Sequence, residues 1–213
     1  MAYGFLERLS TPSVAAAREA NGVGGLWETM EVDRPADRFT DGEIAFIAAR
    51  DSFYLATVSQ TGWPYIQHRG GPPGFLRVLD ATTLGFCDYR GNRQFISVGN
   101  VAAEDRVALF LMDYPQRRRL KVLAHMTEHA LKAEPELAAR LATPGYRGLP
   151  ERAFTLRLAA FDWNCAQHIT PRFAAAEIDE ATAPMRERLA WLEAENLRLR
   201  ESPGAACDPK ATP

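Results

Sequence analysis

From Phe53 onward the chain is a succession of short β-rich runs whose connections are too brief to hold a crossover helix, and this restricts the fold more than any other feature. The runs Phe53 to Val58, Tyr65 to Arg69, Phe75 to Leu79 and Thr83 to Cys87 are bounded by turn residues. Only Ser59-Gln-Thr-Gly-Trp-Pro64 and Asp80-Ala-Thr82 join the first pair and the last. Parallel neighbours need a connection of about a dozen residues or more, so these strands are expected to be antiparallel. Arg106 to Asp113, Leu120 to Glu128 and Phe154 to Trp163 read as further strands. The expected class is mainly β with flanking helices, arranged as a barrel or sandwich.

Helices are signalled at several points. Thr40-Asp41-Gly42-Glu43 places a hydroxyl three residues before a glutamate, a capping box that opens a helix running to about Arg50. Arg93 to Val101 and Pro135 to Leu141 also read as helical, the proline being tolerated in a first turn. Near the end, Met185, Leu189, Leu192, Asn196 and Leu199 follow spacings of four, three, four and three, the a/d seam of a coiled coil. A helix lying on its own barrel would show a similar stripe, but a lone Asn in a leucine seam favours pairing in a parallel dimer. The expected organisation is a partly helical arm over residues 1–38, a barrel domain over 39–175, an amphipathic helix over 180–201 and a disordered tail over 202–213.

Composition excludes several classes. The net charge of -2 offers no general attraction to polyanions, and Arg117-Arg-Arg-Leu-Lys121 is the only basic run, so no nucleic-acid partner is expected. No apolar run approaches the roughly 20 residues that span a bilayer, and the start lacks a basic segment before an apolar core, so a cytoplasmic protein without a membrane partner is expected. Cys87, Cys165 and Cys207 are odd in number and far apart, which argues against a disulfide framework or a zinc site. His125 and His129 fall near a strand with no third ligand, so no metal site is expected.

Polar clusters interrupt the β region at strand ends: Gln67-His-Arg-Gly-Gly71, Asp88-Tyr-Arg-Gly-Asn-Arg-Gln94 and Arg117 to Lys121. A phosphate dianion needs convergent donors, which arginine supplies as a planar fork and lysine as a point charge. With no P-loop and no G-x-G-x-x-G, phosphate binding here would rest on strand side chains. After the last strand, Trp163, Asn164, Gln167, His168 and Arg172 combine a flat apolar ring with amide and cationic donors suited to an aromatic heterocycle.

The run from Leu55 through Gly71 to Phe75 resembles the opening hairpin and flavin-contacting strand of the pyridoxamine 5'-phosphate oxidase-like family. Gly91-Asn-Arg-Gln-Phe-Ile-Ser-Val-Gly-Asn100 is similar to that family's phosphate-side segment, and Arg119-Leu-Lys-Val-Leu-Ala to its next strand. Trp163 to Arg172 is similar to a Trp-Asn-Cys-x-Gln-His-Ile-x-x-Arg signature of one FMN-binding subgroup. The resemblance spans about Phe39 to Phe173. It implies an antiparallel split β-barrel, a homodimer with two FMN molecules in clefts between subunits, and FMN contacts from His68, Arg69, Arg93 and Gln94. It implies too that the cluster Trp163, Asn164, Gln167, His168 and Arg172 reaches the flavin from the partner chain. On the chemistry of the side chains, Arg69 or a neighbouring donor is expected near the flavin pyrimidine edge, where it would stabilise the reduced anion, and Arg93, helped by Lys121, at the phosphate. The Arg-Leu-His-Asp-Arg-like strand that recognises vitamin B6 in true pyridoxamine phosphate oxidases is replaced here by the leucine-seamed helix. The expected function is FMN-dependent oxidoreduction of an unidentified small substrate, with an electron donor such as a nicotinamide nucleotide. A non-catalytic flavin storage, sensing or delivery protein is the alternative.

Overall fold

Alternate residues along a strand point to opposite faces of a sheet, and the apolar residues here choose one face. The computed structural model of the chain describes residues 4–26, 37–163 and 166–201. In β1 (Ser52–Val58), Phe53, Leu55 and Thr57 are buried while Tyr54 and Val58 are exposed. In β5 (Arg106–Asp113), Val107, Leu109, Leu111 and Asp113 are buried in the same rhythm. With β2 (Pro64–Gly70), β3 (Arg77–Asp80), β4 (Thr83–Tyr89), β6 (Arg118–His129) and β7 (Pro150–Trp163) they form one sheet in the order β2-β1-β5-β6-β7-β4-β3. Every pairing is antiparallel, as the short connections require.

Backbone hydrogen bonds do not close this sheet; β2 and β3 are its two ends. Side chains bridge the gap instead. Arg69 of β2 is ion-paired with Asp88 of β4. Phe53 of β1 meets Phe86 of β4 edge-on, with ring centroids 5.3 Å apart, and stacks on Phe75 at 5.7 Å. The architecture is a split barrel, with its core between the curled ends of the sheet. Fully buried side chains such as Phe53, Leu84, Phe86 and Phe154 each contribute about 1.5–3 kcal/mol of burial energy there.

The hairpin joining β1 to β2 turns at Gly62, whose φ of 85° lies in the left-handed region that glycine enters without strain. Its ends are tied by Ser59 N–H donating to Trp63 O at 2.9 Å. Several boundaries differ from the sequence expectation, and three of them have a visible local cause. The third strand starts at Arg77 rather than Phe75, because Phe75 N–H bonds back to Pro72 O in a turn that drops the Phe75 and Leu76 side chains into the core. The last strand starts at Pro150 rather than Phe154, paired with Tyr89 across a bulge. The helix expected from Arg93 begins only at Ile96, since Arg93 and Phe95 have φ of 62° and 55°, values no right-handed helix accommodates.

The helices flank this sheet. In α1 (Gly4–Leu9), Phe5 is buried with the Lys121 ammonium 4.7 Å from its ring centre, so the expected arm supplies a core side chain; α2 (Pro12–Ala20) follows it. The capping box opens α3 (Asp41–Ala48) as expected, with Thr40 N–H donating to Glu43 Oε2 at 3.0 Å. Between β4 and β5 lies α4 (Ile96–Ala103), and α5 (Pro135–Leu141) buries Leu141 beside Cys87 and Ala153. The chain divides into two compact units, Met1–Thr170 and Pro171–Pro213. The second holds α6 (Ala175–Glu201), which starts five residues before the expected position 180, contains Pro184 and buries none of its residues. Its first turn is closed by Glu177 accepting from Ala174 N–H at 2.7 Å. Among the described residues no helix is long and apolar enough to cross a membrane. The tail over 202–213, Asn164, Cys165 and Cys207 lie outside the described residues.

Candidate functional site

Because the sheet curls, the strand at one end of its hydrogen-bonded order, β2, faces the last but one at the other, β4, across a cleft of about 180 Å3. One wall is β2, which directs Tyr65, Gln67 and Arg69 inward; the other is β4 with Asp88 and Tyr89, continued by Glu151 at the start of β7. The floor is the loop Gly91 to Phe95 and the N-terminus of α4. Asn92 Oδ1 accepts from Gln94 N–H at 3.1 Å, which folds this loop on itself. The left-handed conformations at Arg93 and Phe95 store strain of the kind that collects at functional sites. Phe95 occupies the N-cap position and offers no side-chain cap, so the first N–H groups of α4 stay available to an anion.

The charges around the cleft form one network. Asp88 Oδ1 pairs with Arg69 and its Oδ2 with Arg152 Nε at 3.4 Å; Arg152 also reaches Glu128 at 3.2 Å. Glu151 meets Arg90 at 2.8 Å and both Arg93 and Arg152 at 3.8 Å. Four guanidiniums therefore share three carboxylates, which leaves one positive charge in excess. Burial pushes the Asp88 carboxyl up from its ordinary value, against the opposing pull of Arg69 and then Arg152. A hydrogen bond from Arg90 holds Glu151 below its ordinary value. Arg69 Nε is buried with no hydrogen-bond partner, and Arg152 Nε, though ion-paired with Asp88, is buried without hydrogen-bonding to it. Spare guanidinium donors, excess positive charge and an uncapped helix start fit a phosphate group. Behind them, Ser97 Oγ donates to Gln67 Oε1 at 2.8 Å and Asn100 Nδ2 to Thr57 Oγ1 at 2.9 Å, fixing α4 to β2 and β1.

Of the residues singled out from the sequence, the structure brings Arg69, Arg93 and Gln94 to this cleft. His68 is not with them. One residue from Arg69 on a strand, it points to the other face, where its ring meets Tyr54 edge-on at 5.7 Å. Lys121 is also absent from the lining; on β6 in mid-sheet it pairs with Asp162 of β7 at 2.6 Å and covers Phe5. Trp163 ends β7 with its Nε1–H donated to Glu43 Oε1 at 2.6 Å, its ring edge-on to Phe46 and the Arg118 guanidinium 4.5 Å above it. Burial works against the Glu43 charge, yet hydrogen bonds from the Thr40 hydroxyl, Trp163 and Thr40 N–H outweigh it and hold that carboxyl below its ordinary value. Gln167 and His168 form an exposed turn outside the cleft lining, with His168 at φ 61°, and Arg172 is exposed and belongs to the second unit. Asn164 lies outside the described residues.

Sequence reading placed Gln67 and Asp88 in its polar clusters without giving either a role of its own, and it missed Ser97 and Glu151 as cleft residues. Gln67 carried a signal, its two-residue spacing from Arg69 on one strand. The others depend on contacts between distant segments. A larger recess of about 870 Å3 lies on the outer face of β1, β5 and β6 beside α1, but its Arg106 is bound to Glu104 and its His125 to Asp105, so it lacks the smaller cleft's converging donors. Among the described residues no group of three His, Cys, Asp or Glu side chains could hold a metal ion.

Comparison with known proteins agrees with the architecture. The model of a family described as pyridoxamine 5'-phosphate oxidase matches residues 40–156, more than half of the chain. No curated protein matches. Among solved structures, a candidate pyridoxamine 5'-phosphate oxidase from Lactobacillus delbrueckii is 21% identical with a TM-score of 0.46, over 59% of this chain and 94% of its own. An F420 reductase is 19% identical with a TM-score of 0.42, over 58% and 98% of the two chains. An FMN-binding protein from Syntrophomonas wolfei is 12% identical with a TM-score of 0.43, over 57% and 83%.

Proposed function

This chain belongs to the pyridoxamine 5'-phosphate oxidase family, and from that premise we propose that it is an FMN-dependent oxidoreductase that works as a homodimer on a small substrate. The observation that supports this best is the cleft in which the Arg69 and Arg93 guanidiniums and the uncapped start of α4 converge. In this reading Arg93, Arg69 and the α4 N–H groups hold the phosphate, while Gln94 and Gln67 orient the chain that follows it. FMN, when bound, accepts and returns the hydride, so the protein has to supply position and electrostatics rather than a nucleophile. Ser97 and Asn100 keep the α4 end of the cleft rigid through their bonds to Gln67 and Thr57.

Cleft size supports the homodimer. Its volume of about 180 Å3 falls below the roughly 300–1,000 Å3 of small-molecule sites, so a flavin ring needs walls from outside this cleft. The outer face of β1 and β2 presents exposed Tyr54, Val58 and Ile66, an apolar surface suited to a second copy. Gln167, His168 and Arg172 would then complete the partner's site.

Arg93 gives the direct test. Its side chain is 61% exposed and its ion pair with Glu151 is long at 3.8 Å, so folding depends on it little. Titration of apoprotein with FMN, followed by flavin fluorescence, should show Arg93→Ala weakening affinity by roughly 10- to 150-fold, the value of a charged hydrogen bond of about 1.5–3 kcal/mol. Riboflavin, which lacks the phosphate, should bind parent and variant alike, and the apoprotein melting temperature should stay nearly constant. Equal FMN affinity in the two proteins overturns the assignment. Steady reduction of the bound flavin by a nicotinamide nucleotide, with turnover on an acceptor, separates an oxidoreductase from a flavin carrier.

A further inference from the structure

The second unit has an apolar stripe with a charge pattern of its own. Along α6, Met185, Leu189, Leu192 and Leu199 are all exposed, on the same face as Asn196. In heptad notation Met185, Leu192 and Leu199 take d, while Leu189 and Asn196 take a. The flanking positions are then Arg186, Glu193 and Arg200 at e, and Arg188 and Glu195 at g.

Charge decides among the possible occupants of this stripe. In a parallel, in-register pair each g residue faces the partner's e residue five positions further along. Arg188 then meets the partner's Glu193, and Glu195 the partner's Arg200; both contacts are attractive and both occur twice by symmetry. An antiparallel pair sets e against e and g against g. Centred on the same seam, it opposes Glu193 to Glu193 and Arg186 to Arg200, both repulsive, and gains only Arg188 against Glu195, so the parallel pair has the better charge balance. Parallel pairing also sets Asn196 against its own copy at an a position, where two amides satisfy each other, whereas a hydrocarbon surface would leave the amide unpaired. Trp191 lies off the seam with the Arg188 guanidinium 4.1 Å from its ring centre, a position from which the Arg188 head can turn toward the seam edge.

We propose that α6 pairs with α6 of a second copy as a short parallel, in-register coiled coil over residues 185–199. It rests on the homodimer reading above, because so short a seam is marginal alone and gains from barrels that already hold two chains together. Pro184 marks its start: lacking an N–H, proline breaks the hydrogen-bond ladder just before Met185. Thr182 Oγ1, bonded to Ile178 O at 2.8 Å, lies in the turn before that break.

The test uses the full chain with Cys207→Ser, so that the tail thiol does not contribute. Leu199→Cys places a thiol at d, facing its copy within disulfide reach, and Ala194→Cys places one at f, on the far side. Under mild oxidation the d variant should cross-link as a dimer roughly tenfold faster than the f variant. Adding Glu193→Arg should slow it several-fold, and adding Arg188→Glu to that chain should restore it. Light scattering gives the mass of every variant. Dimeric mass with equally slow cross-linking at both positions overturns the coiled coil, assigns the stripe to the chain's own barrel, and leaves the homodimer standing. Monomeric mass overturns both.

Discussion

Trp163→Phe separates one hydrogen bond from the packing around it. Phenylalanine keeps a ring against Phe46 and beneath Arg118, but it removes the Nε1–H that Glu43 Oε1 accepts at 2.6 Å. Glu43 is only 5% exposed, so water cannot readily replace that donor, while Thr40 still serves Oε2. A charged hydrogen bond lost at a buried site costs about 1.5–3 kcal/mol. The smaller ring adds about 1 kcal/mol of lost burial, for a total of about 2.5–4 kcal/mol at neutral pH. The sign with pH follows from the lowered Glu43 value. A carboxyl lowered by folding stabilises fully above its unfolded value of about 4.3 and loses that contribution as pH falls through the folded value. Since the variant holds Glu43 less far down, the gap between parent and variant should narrow from about pH 7 to about pH 3.5. Urea unfolding followed by far-ultraviolet circular dichroism at both pH values measures it. A gap that does not change with pH, or one below about 0.5 kcal/mol at neutral pH, refutes the role given to this bond.

Asp88→Asn strips the shared partner from Arg69 and Arg152, so it should destabilise the apoprotein by about 3–5 kcal/mol, with added phosphate raising the melting temperature of the variant more than that of the parent. Thr57→Val leaves the buried Asn100 amide without its acceptor and should cost about 1–3 kcal/mol in chemical denaturation. Arg69→Ala should weaken FMN binding roughly tenfold more than His68→Ala, which alters the opposite face of β2, and equal effects would place the phosphate elsewhere.

Local chemistry settled much of this molecule before any tertiary contact. Short connections made the strands antiparallel, alternation chose the buried face of β1 and β5, and Thr40 with Glu43 set the start of α3, because each effect acts over a few residues. Arginines at strand ends pointed toward the cleft for the same reason: Arg69 and Arg93 are donors wherever the chain leads them. Tertiary structure decided which of these signals converge. His68 and Arg69 are neighbours in sequence, yet the pleat sends only Arg69 to the cleft. Curling of the sheet sets Arg69 against Asp88, and the same fold takes the Trp163 indole to Glu43, 120 residues away. The left-handed turn at Arg93 and Phe95 delays α4 and bares its N–H groups. Such pairings join segments far apart in the chain, so no local spacing encodes them; they follow from how the ends of one open sheet approach each other around a shared core.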